Sequence, residues 1–377
     1  MNICILGGGN IGTVLLGDIG AREEYQVSLF TSKPDAWNKE IEVIDLENHT
    51  KVIGRIDEIT DSPKVLQNAD IILSTLPSNV FTSMIEKIED YIRPGTYLGI
   101  VPGSGGCEFC CRKLIEKGCV VFGLQRVHAI ARIKEYGKSV YAISRKKEIQ
   151  IGAIPRKKTR EVCRLMENML RIPCRALDNY LCVTLTPSNP ILHTTRLYSM
   201  FKDYSEKKVY DKNFLFYEEW TDESSEMLIA CDEELQKICS KYTELDLREV
   251  KSLKEHYESD TKEKMTSKIS GIQAFKGILS PMKKVEGGYI PDKESRYFKE
   301  DFLYGLCIIK AFGEIVQVAT PNIDRVLKWY EIFAGVEFFI NEEFKGKDLK
   351  KANFPQNFEL LVREDIYKFY LKDMSDK

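Results

Sequence analysis

Residues 3 to 12 read Ile3-Cys-Ile-Leu-Gly7-Gly8-Gly9-Asn10-Ile11-Gly12, a short apolar run that passes directly into a Gly-x-Gly-x-x-Gly turn. An amphipathic stretch over 13–21 and a second apolar run over 26–30 follow, so the turn has the strand–turn–helix–strand context of a dinucleotide fingerprint. Each glycine has its own task. Gly7 makes the tight turn, Gly9 lets the backbone approach a pyrophosphate, and Gly12 lets the following helix pack closely on its strand. Asn10 and Ile11 open that helix, whose N-terminus would face the phosphates.

Working outward, an NAD-specific turn places an acidic residue about 20 residues further on, at the end of the second strand. Here the chain reads Thr31-Ser32-Lys33. Hydroxyls and a cation suit a 2′-phosphate, whereas a carboxylate would repel it, so NADP is the expected cofactor with NAD the alternative. A further apolar run over 69–76 ends in Leu76-Pro77, where a ligand sits at the carboxyl end of a parallel strand.

The first half alternates strand and helix: strands are expected at 51–56, 96–101, 120–123, 139–144 and 148–153, and helices at 80–91, 108–117 and 156–169. This is the pattern of a doubly wound parallel sheet. The second half loses strand-like runs and becomes charged and amphipathic. Residues 227–238 and 301–312 carry apolar side chains at helical spacing, 202–212 and 251–264 read as solvated connections, and 287–292 reads as a turn. The fold class is therefore α/β plus all-α, with expected domains at 1–182 and 183–377.

A length of 377 residues makes two domains the default, and the net charge of −2 with no basic stripe argues against a nucleic-acid binder. No apolar stretch approaches a membrane span, and Met1 leads straight into the first strand, so a cytoplasmic protein is expected. The 11 cysteines are spread through the predicted elements, unlike a secreted disulfide framework. Cys107, Cys110 and Cys111 have C-x-x-C spacing at a helix start that would acidify thiols, but no second ligand pair lies near them, and no metal site is expected.

In the second half the sharpest signal is Ser188-Asn189-Pro190-Ile191-Leu192-His193. Asn189 suits a helix N-cap and Pro190 the first helical position, which would place His193 in the first turn. The dipole there lowers an imidazole pKa, so a catalytic acid at this position needs a carboxylate partner. From the residues alone, His193 reads as a satisfied core group more readily than as a catalyst.

The order of the fingerprint, Val101-Pro-Gly-Ser-Gly-Gly-Cys-Glu-Phe109, Ala131-Arg132-Ile-Lys-Glu-Tyr136-Gly137-Lys-Ser-Val140, Asn189-Pro-x-x-His193 and Arg296-Tyr-Phe-Lys-Glu300-Asp301-x-x-Tyr304-Gly305 resembles the opine dehydrogenases of the octopine and nopaline type, over nearly the whole chain. The resemblance implies a Rossmann domain joined to an all-helical domain. It also implies NAD(P)H-dependent reductive condensation of an amino acid with an α-keto acid, or the reverse oxidation. It maps a catalytic histidine onto His193, its partner onto Asp301, and an arginine that holds the amino-acid carboxylate onto Arg296. Asn189, Ser104 and Arg126 fall in the implied substrate region. The last two depart from the octopine pattern, which has a glutamine at the first position and a smaller hydroxyl residue at the second, so the substrate pair does not transfer.

The expected partners are small-molecule substrates, with no nucleic acid and no membrane, and a homodimer is compatible with the resemblance. Two rivals stay open: a 2- or 3-hydroxy-acid or keto-acid reductase on a related two-domain scaffold, and a protein that senses NADP(H) without turnover. His193 in place of the lysine common among such reductases weighs against the first. The charged trio His193, Asp301 and Arg296 weighs against the second, because a sensor needs no proton donor.

Overall fold

A computed structural model describes residues 1–371, which form two compact units: Met1–Thr184 together with the described residues from Tyr367 on, and Leu185–Ile366. In the first unit the strands are β1 (Asn2–Leu6), β2 (Gln26–Phe30), β3 (Glu40–Asp45), β4 (Thr50–Arg55), β5 (Glu58–Thr60), β6 (Ile71–Ser74), β7 (Tyr97–Ile100), β8 (Val120–Leu124), β9 (Ala129–Glu135), β10 (Ser139–Arg145), β11 (Ile149–Ile154) and β12 (Cys174–Ala176).

Eight of these build one sheet in the order β12-β11-β8-β7-β6-β1-β2-β5. It is parallel except where β11 runs against β8. The central strands are buried on both faces, which is why β1, β6 and β8 read as unbroken apolar runs rather than alternating ones. The chain leaves β1 for β2 on one side and returns to β6 on the other, so the order reverses between β1 and β6. At such a switch point the loops after both strands open a crevice at the carboxyl edge.

The second sheet was not anticipated. Strands β4-β3-β10-β9 pack on the helix Asn10–Gly20 with a small core of Val14, Val43, Ala129, Ala131, Val140 and Ala142. The expected strand at 51–56 is therefore the antiparallel edge of this sheet, paired Asp45↔Thr50 through Glu40↔Arg55, and no member of the parallel one. The helix makes close approaches here, since a Cβ on Gly17 would meet Val43 at 2.2 Å and one on Gly54 would meet the Gly17 carbonyl at the same distance.

In the second unit the principal helices are Ser188–Phe201, Asp222–Lys241, Lys262–Gly271, Cys307–Ile315 and Pro321–Ala334. Ile191, Leu192, Leu197 and Phe201 on the first of these are buried, each worth about 1.5–3 kcal/mol relative to exposure. Two expectations need correction. The turn at 287–292 belongs to a hairpin, β13 (Met282–Val285) with β14 (Gly288–Pro291), so this unit is helical but not wholly so. The expected continuous helix over 301–312 begins instead with a π-helical turn, Phe302–Leu306, before Cys307–Ile315 takes over. Its signature is the Leu306 N–H donating to the Asp301 carbonyl, five residues back, at 2.8 Å. Among the described residues no helix is long and apolar enough to cross a membrane.

Candidate active site

At the carboxyl edge of the first unit, the three fingerprint glycines differ in the ways their assigned tasks require. Gly7 has φ +96°, a left-handed conformation open to glycine, and Thr75 Oγ1 donates to its carbonyl at 3.1 Å. A Cβ on Gly12 would meet the Gly7 carbonyl at 2.0 Å, so only glycine lets this helix begin so close to its strand. A Cβ on Gly9 would meet nothing within 4 Å: this backbone faces open space ahead of the helix N-terminus, the cradle a diphosphate would fill. Trp37 lies across Gly8, where a Cβ would come within 2.0 Å of its ring.

The neighbouring expected cofactor residues divide. Asn10 spends its side-chain oxygen on the Ile133 N–H at 2.8 Å, tying the helix start to β9, and Ile11 packs into both cores. Thr31 is buried at the end of β2, its N–H donating to the Thr60 carbonyl, while Ser32 and Lys33 are exposed. Leu76 packs against Gly7, and Pro77 sits exposed before the helix Ser78–Ile88.

In the second unit His193 and Asp301 meet. The imidazole Nδ1 lies 2.8 Å from Asp301 Oδ2, with both side chains about nine-tenths buried. Asp301 precedes the π-helical turn but makes no side-chain cap, which leaves its carboxylate for the histidine. The two segments are held close by a glycine: a Cβ on Gly305 would lie 3.2 Å from Pro190.

His193 does not lie in the first turn. The helix opens at Ser188 with Pro187 in the capping position, and Ile191 N–H is the first to pair, with the Pro187 carbonyl at 3.1 Å. Pro190 thus occupies the last position at which a missing N–H costs nothing, Asn189 is an exposed second residue rather than a cap, and His193 falls in the second turn.

The far side of the imidazole is occupied by a residue the sequence reading passed over. Tyr217 Oη lies 2.9 Å from His193 Nε2, and the Tyr217 ring stacks on Phe275 at 4.2 Å between centroids. Burial pushes the Tyr217 hydroxyl well above its ordinary pKa, with Tyr297, Tyr257 and Asp301 adding to the shift. The phenol therefore keeps its proton; a carboxylate only accepts, so Nδ1–H donates to Asp301, and Tyr217 donates to Nε2 whenever that nitrogen carries no proton.

Arg196, one turn beyond His193, holds this arrangement in place. Its guanidinium donates to the carbonyls of Phe216 (2.9 Å) and Glu219 (2.6 Å) and to Ser224 Oγ (3.2 Å), bracketing Tyr217. Burial lowers its pKa to about 10, still charged near neutrality. The one signal available for Tyr217 was the aromatic density of Phe214-Leu-Phe-Tyr-Glu-Glu-Trp220, which has no periodicity linking it to His193.

Arg296 is two-thirds exposed and pairs with Glu300 at 3.0 Å, while its neighbour Tyr297 lies 4.6 Å from the His193 ring. In the first unit Arg126 is half-buried after β8, near enough to Lys146 to help lower that amine's pKa, after burial itself. Ser104 is half-buried in the glycine-rich loop after β7. His128 is fully buried with neither ring nitrogen partnered among the described residues, and burial pushes its pKa down to about 4. It is a neutral core group. Two thiols of the Cys107 cluster are not acidified either: burial pushes Cys110 up to about 12 and Cys111 well above the ordinary value, and the helix Cys107–Cys110 has only four residues.

Residues 176–334 match the family described as NAD/NADP octopine/nopaline dehydrogenase, alpha-helical domain. An opine dehydrogenase of Haliotis discus hannai is 29% identical over 95% of this chain and 96% of its own. A tauropine dehydrogenase of Arabella iricolor is 26% identical over 94% and 97%. Among solved structures, octopine dehydrogenase with NADH and L-arginine superposes with a TM-score of 0.87 at 23% identity, covering 100% of both chains, which is a likeness of fold.

Proposed function

We propose that this chain, which belongs to the opine dehydrogenase family, is an NAD(P)H-dependent oxidoreductase that joins the amino group of an amino acid to the carbonyl carbon of an α-keto acid, or oxidises the product in reverse, with His193 as acid–base. The observation that carries the reading is the buried 2.8 Å contact between His193 and Asp301. The cradle at Gly7, Gly9 and Gly12 fits a dinucleotide, and a bound nicotinamide would supply hydride.

Condensation needs protons moved in both directions. The amino acid's ammonium must lose one before its nitrogen can attack, and the carbonyl oxygen must gain protons to leave as water. An imidazole held by a carboxylate does both, because Asp301 keeps the ring in one tautomer and stabilises the imidazolium when it forms. Arg296 is assigned to the amino-acid carboxylate. Its ion pair with Glu300 is exposed on the arginine side and worth at most about 1 kcal/mol, so a substrate carboxylate can replace it. Ser104, Asn189 and Arg126 are assigned to the keto acid. Arg126 and Lys146 make their corner positive, which favours a substrate with an additional carboxylate.

For the cofactor, the exposed Ser32 and Lys33 beside Thr31 support NADPH over NADH. Soluble cytoplasmic action on small molecules is the setting this chemistry fits. The test is to incubate the protein with NADPH, pooled α-keto acids and pooled amino acids and to search by mass for a new secondary amine. An alcohol product instead would assign a keto-acid reductase, and tight NADPH binding without oxidation would assign a sensor.

A further inference from the structure

The Nε2 of His193, the nitrogen that a His–Asp pair turns toward its substrate, is not open in this unit. It is covered by the Tyr217 hydroxyl at 2.9 Å. Nor is Tyr217 placed to swing away. Its backbone neighbours Phe216 and Glu219 are held by the buried Arg196, its ring is stacked on Phe275 with Trp220 parallel at 6.4 Å, and only 5% of its surface is exposed. A histidine that must exchange protons while its outer nitrogen is permanently capped has to exchange them through the cap. Against the same imidazole lies Tyr297, half-buried, its ring 4.6 Å from that of His193 and close enough to Tyr217 to help raise the Tyr217 hydroxyl's pKa.

We infer that Asp301, His193, Tyr217 and Tyr297 form a proton relay in which Tyr217 passes protons between His193 Nε2 and the hydroxyl of the half-buried Tyr297. The inference rests on the functional reading above. In the acid direction, the Nε2–H bond of the imidazolium breaks as a new O–H forms on Tyr217. The hydrogen originally on Tyr217 moves to Tyr297, and the hydrogen of Tyr297 goes to the oxygen that leaves as water. The base direction runs each transfer backwards. No tyrosinate accumulates, because each phenol gains a proton as it gives one up, so a Tyr217 hydroxyl that holds its proton tightly still serves. Tyr217 is by this argument a relay residue acting through His193, distinct from a residue that only shapes the pocket.

The experiment is single-turnover oxidation of NADPH by the full chain, with pooled α-keto acids and pooled amino acids as the probe, in the parent, Tyr217→Phe, Tyr297→Phe and the double variant. Phenylalanine keeps the stacking on Phe275 and Trp220, and an unchanged thermal melt serves as the check on folding. The expected result is a rate lower by about 10²-fold in Tyr217→Phe, in the range for a lost acid–base group. The double variant should be no slower than Tyr217→Phe alone, since one broken link already interrupts the chain. In mixtures of light and heavy water the parent rate should bow with deuterium fraction, as several protons moving together require, and the Tyr217→Phe rate should fall on a straight line. A Tyr217→Phe rate within about twofold of the parent would overturn the relay, as would a straight line for the parent. A parent that oxidises neither NADPH nor NADH with any pool would instead overturn the functional reading, so the two failures are separable.

Discussion

Asp301 Oδ2 stands 2.8 Å from His193 Nδ1 across 108 residues of chain, and the carboxylate is free to do so because the turn it precedes is capped by no side chain. The pair makes Asp301→Asn the most pointed substitution in the second unit. The amide can accept from the Nδ1–H but cannot stabilise an imidazolium, and its NH₂ face favours the wrong tautomer. The fold should persist, with an unchanged circular dichroism spectrum, while kcat falls by roughly 10²-fold or more. Activity at the parent level would show that the aspartate only fills space.

Removing the imidazole tests the other half. His193→Ala should lower kcat by about 10²–10⁴-fold while the affinity for NADPH, measured by fluorescence titration, stays within about twofold. The cofactor contacts lie on the glycine turn of the first unit, so a parallel loss of NADPH affinity would speak against this division of labour.

NADPH should bind more tightly than NADH, and Lys33→Ala should weaken NADPH by roughly tenfold while leaving NADH nearly unchanged, the effect of losing one charge-assisted contact to a phosphate. Lys33 is exposed, with no fold contribution to confuse the result. Tighter NADH binding would reassign Thr31, Ser32 and Lys33 to an ordinary solvated loop.

Arg126→Ala should raise KM for the keto acid by roughly tenfold or more and KM for the amino acid little, since the guanidinium is assigned to the former alone. Equal effects on both would count against that assignment.

A stability prediction concerns Glu108, fully buried in the first unit, where it accepts from Tyr370 Oη at 2.7 Å and from Thr184 Oγ1. Burial pushes its pKa up to about 7, against an ordinary value of 4.5, and the hydrogen bonds offset only part of that. The folded carboxyl thus holds its proton more tightly than the unfolded one. Its contribution to stability is fully present below about pH 4.5 and is lost as pH rises through about 7, by at most about 3 kcal/mol. Glu108→Gln, which keeps the shape without the charge, should remove this loss. Denaturant melts at pH 5 and pH 8 should show the parent losing more stability than the variant on going to the higher pH. Equal losses would mean that the Glu108 carboxyl titrates alike in the folded and unfolded chains.

Much of the first unit was legible because its signals are local. The turn from Gly7 to Gly12 declares itself through the close approaches that only glycine permits, and fully buried parallel strands need unbroken apolar runs such as Ile71-Ile-Leu-Ser74. The second sheet was missed for the complementary reason. Glu40-Ile-Glu-Val-Ile-Asp45 does alternate, but nothing along the run names its partners, β4 and the distant β10. Asn189 looks like a cap in any local reading, and only the bond from Ile191 to the Pro187 carbonyl shows that the helix has already begun.

By itself, then, the sequence determined the dinucleotide turn, the alternating α/β half with a helical half after it, and, through the resembling motifs, His193 and Asp301 as residues to watch. These depend on neighbours a few positions apart or on motif order, both of which one dimension preserves. Tertiary structure alone decided that Asp301 faces Nδ1, that Tyr217 takes Nε2, and that Arg196 bridges to the backbone on both sides of that tyrosine. Such contacts join residues 20 to 108 positions apart through hydrogen bonds set by packing in the core, and no periodicity along the chain encodes them.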